Sequence, residues 1–205
     1  MNKTQVDAEL LIGGFPQPVA DSQQLFRSAL KAMSEPGTQV SAIKGLNTPE
    51  QLQPGSWQLA LALFDPDTRI WLSPRLRQNA SLLSNLRFHC RCPMTDEPKN
   101  ADFALADADE LPDLDRFNWG SSEYPDRSTT LIIQVPAISD EPFWQLSGPG
   151  IEHSRPLRIG GLDATFREQL IASRRRFPLG IDTLFCSGET LVALPRTTRI
   201  NEESV

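Results

Sequence analysis

The sequence predicts a three-layer α/β/α protein built on a mixed sheet. Three observations predict it. Helix-period and strand-like segments alternate through the first half of the chain. Strand-like segments dominate the second half. The run Thr129–Val135 (TTLIIQV), β-branched and largely apolar, is the strongest strand signal in the chain.

Taken in order, residues 1–19 read as an arm: Leu10, Leu11, Ile12 and Phe15 are apolar, but Gly13-Gly14, Pro16 and Pro18 break any regular element. Asp21 is placed as the N-cap of a first helix, in which Leu25, Phe26, Ala29, Leu30 and Met33 recur at helical spacing. That helix stops near Ser34, because the residue before Pro36 is driven out of the α region and Gly37 suits a turn. Thr38–Ile43 reads as a strand and Ser56–Phe64 as an apolar helix buried on most sides. Asp65-Pro66-Asp67 is a turn and Arg69–Leu72 a short strand. Leu76–Phe88 reads as one helix ending near His89, and Phe103–Ala106 as a strand. Ala108–Tyr124 is acidic and irregular, expected at the surface, with a turn of helix at Leu111–Phe117. A strand at Phe143–Ser147 is closed by Gly148-Pro149-Gly150, and Asp163–Arg174 is an amphipathic helix with Phe166, Leu170 and Ile171 inward. Ile181–Cys186 and Thr190–Leu194 flank Ser187-Gly188-Glu189, which is a hairpin signal. The expected organisation is the arm followed by a single α/β domain over 20–205.

At 205 residues the chain can bury roughly 70% of its unfolded surface, so it needs no disulfide staples. Cys90, Cys92 and Cys186 are odd in number, and Met1–Gly14 lacks a basic segment followed by a long apolar one. No stretch approaches the roughly 18 apolar residues of a membrane span. A cytoplasmic protein is expected. The formal charge of −6 disfavours nucleic acid as a partner, since a phosphate polymer needs a basic face. Of the 20 basic residues only Lys3, Lys31, Lys44 and Lys99 are lysines. Arginine offers a planar fork of donors suited to carboxylates, phosphates and interfaces.

No nucleotide-binding fingerprint and no G-x-S-x-G elbow occurs. Ser147-Gly148-Pro149-Gly150 is the nearest glycine-rich loop: a tight turn, or backbone amides presented to an anion. His89-Cys90-Arg91-Cys92 holds soft ligands, but its C-x-C spacing is not that of a zinc site, so no metal is expected. His89 is a general-base candidate or a helix-end cap. No lysine has a setting suited to a Schiff base, so no pyridoxal phosphate is expected. Two polar clusters remain. Ser34-Glu35-Pro36-Gly37 ends the first helix, and Pro195-Arg196-Thr197-Thr198-Arg199 follows the last predicted strand. Arg196 with Thr197 and Thr198 suits a phosphate or carboxylate, or equally a neighbouring subunit.

Several segments together resemble one family. Phe26-Arg27 with Ala32-Met33-Ser34-Glu35-Pro36-Gly37, Trp71-Leu72-Ser73, Leu86-Arg87-Phe88-His89 and Leu146–Ile151 (LSGPGI) all match, in order. Phe177–Asp182 (FPLGID), running on through Gly188 to Ala193–Thr198 (ALPRTT), matches best. They are similar to the H subunit of the bacterial carbon–phosphorus lyase core complex. The resemblance implies a role in alkylphosphonate breakdown beside G, I and J subunits, with homodimers and paired copies in the complex. It implies support for the step that joins a phosphonate to the ribose of ATP, giving ribose 1-alkylphosphonate 5-triphosphate. It also implies a fold like the pyridoxal-dependent transferases without the cofactor.

Three readings are open on the sequence. The chain is an architectural subunit, inactive alone. Or it contributes Arg27, Glu35, His89, Arg196 and Thr197 to a shared transferase site, with Ser34, Thr198, Gly148 and Gly150 as anion-binding or interface residues. Or it is an unrelated soluble α/β binding protein.

Overall fold

The structure is a computed structural model and describes residues 7–202, so the first six residues of the expected arm lie outside the described residues. The elements in chain order are α1 (Pro18–Ser34), β1 (Val40–Ser41), α2 (Pro54–Leu63), β2 (Ile70–Leu72), α3 (Pro74–Gln78), α4 (Ala80–His89) and β3 (Phe103–Asp107). They continue with β4 (Thr130–Gln134), β5 (Ile138–Ser147), β6 (Arg155–Ile159), α5 (Ala164–Ser173), β7 (Asp182–Ser187), β8 (Thr190–Leu194) and β9 (Arg199–Glu202).

Strands β1-β8-β7-β4-β3-β2 form a six-stranded mixed sheet. Its β2, β3, β4 and β7 run parallel, while the β7–β8 hairpin and the β8–β1 pair are antiparallel. The sheet is buried on both faces, as a largely parallel sheet must be. Alternate residues Ile132, Leu105, Leu184 and Cys186 pack on one side with Leu25 of α1, Trp57 of α2 and Leu82 of α4. Their neighbours Ile133, Ala104, Phe185 and Val192 pack on the other side with Trp144, Leu157 and Phe166.

The third layer differs from the expectation of helices on both faces. It is a second, three-stranded antiparallel sheet, β6-β5-β9, joined by only one helix, α5. Strands β6 and β9 are absent from the sequence reading, because each carries only one or two buried residues. They are strands because the long β5 offers them a ladder on either side.

Four local expectations change. Helix α1 begins at Pro18, not after Asp21; the Asp21 carboxylate accepts the Gln17 N–H at 2.8 Å and so serves the helix start from inside it. On α1, Phe26 and Leu30 face outward, while Leu25, Ala29 and Ala32 are buried. The predicted helix 76–88 is two, because the Asn79 side chain accepts the Leu82 N–H at 2.9 Å and restarts the helix. Segment 108–124 is irregular, with short turns at Ala108–Glu110 and Leu114–Arg116, but Leu114 and Phe117 are buried and not at the surface.

Residues 7–15 are tied to α4. Asn85, fully buried, donates to the Leu10 carbonyl at 2.8 Å and accepts the Ile12 N–H at 3.0 Å. Among the described residues, no helix is long and apolar enough to cross a membrane.

Candidate functional site

In open sheets with parallel strands, ligands usually sit beyond the carboxyl ends of the strands. Here that edge is occupied by the chain's own polar network. Gln134 donates to Asp107 at 2.7 Å and accepts the Gln53 N–H at 2.6 Å, and Gln53 accepts the Gly188 N–H at 2.9 Å. The polar clusters singled out in the sequence lie at the opposite edge. Because β8 runs antiparallel to β7, its carboxyl end delivers Pro195-Arg196-Thr197-Thr198 beside the start of β7 at Asp182.

Three segments distant in sequence meet there. The end of α1 (Ser34–Gly37), the loop Gly148–Gly150 after β5, and Pro195–Thr198 pack backbone against backbone. A Cβ on Gly150, whose φ is +81°, would stand 1.9 Å from the Ser34 carbonyl oxygen. A Cβ on Gly148 would stand 3.0 Å from the Thr197 carbonyl oxygen. Glycine at these positions therefore serves close approach, and the left-handed backbone at Gly150 adds a second reason for it. Arg155 of β6 ties the junction to α1: its Nη1 donates to the Glu35 carbonyl at 3.0 Å, the Pro36 carbonyl at 2.7 Å and the Thr38 hydroxyl at 2.5 Å. A guanidinium at a helix C-terminus satisfies carbonyls that the helix itself leaves open.

Arg196 is held on every side. Its Nε lies 3.2 Å from both Asp182 carboxylate oxygens and its Nη2 2.5 Å from Oδ2, while Nη1 donates to the Pro125 carbonyl. Thr198 is fully buried, with its Oγ1 unpartnered among the described residues, and Thr197 is half-buried. Arg174, at the end of α5, donates to the Ile181 carbonyl at 3.0 Å and the Leu194 carbonyl at 3.3 Å, leaving an enclosed Nε unpartnered. Burial draws its guanidinium down to about 10; the nearby Asp182 carboxylate raises it and Arg196 lowers it further. Arg174 and Arg199 carry no sequence signal of their own. One opens a run of three arginines, and the other trails the P-R-T-T segment.

The remaining candidates are not gathered at this junction. Arg27 is exposed on α1, about 10 Å along the axis from Ser34. Glu35 closes α1, its N–H bonded to the Lys31 carbonyl at 2.9 Å. His89 is half-buried at the end of α4, with Nε2 3.0 Å from the Ile12 carbonyl oxygen and its ring edge-on to Trp57. Its contacts are those of an anchor for residues 7–15. Cys90 and Cys92 are buried and hydrogen-bonded to each other, which raises the Cys90 thiol and lowers the Cys92 thiol. Among the described residues no group of three or more His, Cys, Asp or Glu side chains is arranged to hold a metal ion.

Comparison with known proteins agrees with the segments quoted above. The family described as bacterial phosphonate metabolism protein (PhnH) matches residues 13–201. A protein of Rhizobium meliloti (strain 1021), named alpha-D-ribose 1-methylphosphonate 5-triphosphate synthase subunit PhnH, is 35% identical over 199 residues, covering 96% of this chain and 98% of its own. A protein of Stutzerimonas stutzeri, named putative C-P lyase subunit protein HtxG, is 37% identical over 101 residues, covering 49% of this chain and 51% of its own. With the family match running from the arm to β9, the chain belongs to the PhnH family of bacterial phosphonate metabolism proteins.

Proposed function

We propose that the chain is a subunit of a multi-subunit carbon–phosphorus lyase assembly, where it supports synthesis of ribose 1-alkylphosphonate 5-triphosphate from ATP and an alkylphosphonate. In this reading it works in the cytoplasm beside G, I and J subunits, as one of paired copies. It is architectural and does no chemistry alone. The observation that carries the reading is the 35% identity to a synthase subunit across nearly the whole of both chains. The geometry supports the architectural part. Arg196 is occupied by Asp182 and Pro125, His89 by Ile12, and the backbone of Glu35 by Lys31 and Arg155. The fold is read as a relative of the pyridoxal-dependent transferases that works without the cofactor. In support, Lys31, Lys44 and Lys99 are all exposed rather than enclosed.

Reconstitution tests this reading. The complete subunit set should release adenine from ATP plus methylphosphonate, omission of this chain should abolish release, and the chain alone should give none. Adenine release by the isolated chain would overturn it.

A second reading, residues donated to a shared transferase site, is favoured by one observation: Arg174 and Arg199 line a cleft in which, among the described residues, neither forms an ion pair. It predicts that Arg199→Ala lowers complex activity while assembly, followed by co-purification, is unchanged.

A further inference from the structure

Beside the junction, Gly148, Pro149, Arg174, Phe177, Thr197 and Arg199, with Arg196 behind them, wall a cleft of about 350 Å³. Three guanidinium groups border it. Among the described residues the carboxylate that reaches them is Asp182, and it is spent on Arg196 in a bidentate pair. Arg199 is exposed, and its side chain makes no hydrogen bond or ion pair among the described residues. Arg174 is held by two carbonyls and keeps an enclosed, unpartnered Nε. Asp182 lies near enough to offset part of the Arg174 charge, but its carboxylate is already paired with Arg196, so an anion seated in the cleft complements the positive charge that Arg174 and Arg199 keep.

The charge is local. The chain as a whole carries −6, so its long-range field repels anions, and affinity must come from contacts inside the cleft. The volume lies in the range of small-ligand sites, roughly 300 to 1,000 Å³, and exceeds what one ion fills. Phe177, 60% exposed, and Pro149 form an apolar lip, and the Thr197 hydroxyl adds a donor.

We propose that this cleft binds a chain of linked phosphoryl groups, with Arg174 and Arg199 as its cations and Thr197 as a hydroxyl donor. That a triphosphate arm is the physiological ligand rests on the function proposed above; that the ligand is a polyanion rests on the cleft itself.

Calorimetric titration of the full chain with tripolyphosphate, inorganic phosphate and methylphosphonate at low salt tests the site. Tripolyphosphate should bind at least ten-fold more tightly than either single-phosphorus anion. Arg199→Ala, at an exposed position that leaves the fold intact by circular dichroism, should weaken tripolyphosphate about ten-fold, the worth of one charge-assisted hydrogen bond. Arg158→Ala, an exposed arginine beside Glu141 on β6, should leave binding unchanged. Equal losses in the two variants, no loss in Arg199→Ala, or tighter binding of a single-phosphorus anion each overturn the proposal. If the reconstituted assembly needs the chain but tripolyphosphate does not bind, the site falls and the subunit role stands. If tripolyphosphate binds but the assembly does not need the chain, the subunit role falls and the site stands.

Discussion

Arg196 and Asp182 form a bidentate ion pair where β8 ends and β7 begins, and the Asp182 carboxylate also accepts the Arg196 backbone N–H at 2.7 Å. The two side chains are only 14% and 15% exposed. One carboxylate therefore fixes both the direction and the charge of the segment that carries Thr197 and Thr198. The same contact means that Arg196 reaches the neighbouring cleft as half of a neutral pair, and the free positive charge there belongs to Arg174 and Arg199.

Breaking the pair should cost more than the pair contributes. Asp182→Ala leaves a largely buried guanidinium unpaired and should destabilise the chain by about 3–5 kcal/mol in urea unfolding. Arg196→Ala should cost a similar amount, because it strands the carboxylate. The double variant should recover part of the loss, and the shortfall from additivity measures the coupling. Strict additivity would show that the two groups do not communicate.

The loop Gly148–Gly150 should be intolerant of side chains for a reason that can be isolated. Gly45 and Gly150 have similar positive φ, +76° and +81°, but nothing lies within 4 Å of a Cβ at Gly45. Gly45→Ala should therefore cost only the backbone strain of about 1 kcal/mol. Gly150→Ala adds a collision with the Ser34 carbonyl and should cost at least about 2 kcal/mol more, by comparison of unfolding midpoints. Equal costs would mean that the loop moves off α1 freely.

Much of the six-stranded sheet is legible in the sequence, and the reason is burial. Strand β4 and the β7–β8 hairpin are nearly continuous apolar runs because both faces of that sheet are covered. The second sheet is not legible. In β6 only Leu157 and Ile159 are buried, and in β9 only Ile200, so neither segment carries a strand pattern strong enough to read. The sequence separates Ser34, Gly148 and Arg196 by more than a hundred residues at the widest, and no local spacing says that they meet. What brings them together is the antiparallel turn of β8 and the close approach allowed by two glycines. Arg174 is hidden for a different reason: within Arg174-Arg175-Arg176 nothing marks which guanidinium turns inward.

The attachment of residues 7–15 rests on Asn85. Asn85→Ala removes the partners of the Leu10 carbonyl and the Ile12 N–H together, at about 1–3 kcal/mol for each group left unsatisfied. The segment should then exchange its amides much faster and be cut first in limited proteolysis, with the sheet still protected. His89→Ala, which loses one hydrogen-bonding contact, to the Ile12 carbonyl, should show the same pattern more weakly.

Cys186 supplies a pH dependence with a definite sign. It is completely buried under α2, and burial pushes its thiol up to about 12 from an ordinary value of 9.0, with the neighbouring Ser56 hydroxyl opposing the shift. The folded chain thus keeps a proton that the unfolded chain releases above pH 9. Between about pH 9 and 12 the unfolded state binds fewer protons, so stability must fall as pH rises, by about 1.4 kcal/mol per unit once the unfolded thiol has titrated. Below pH 9 both states hold the proton and the effect vanishes. Urea unfolding at pH 8 and pH 10.5 reads this directly. Cys186→Ala should be less stable at pH 8 because it leaves a small cavity, yet should lose less stability than the wild type on moving to pH 10.5. The comparison between the two proteins removes the contribution of Cys90 and Cys92, whose shared hydrogen bond shifts them in opposite directions in both. If both proteins lose the same stability over that interval, the Cys186 thiol titrates in the folded protein as it does in the unfolded chain, and water reaches the floor of the sheet beneath α2.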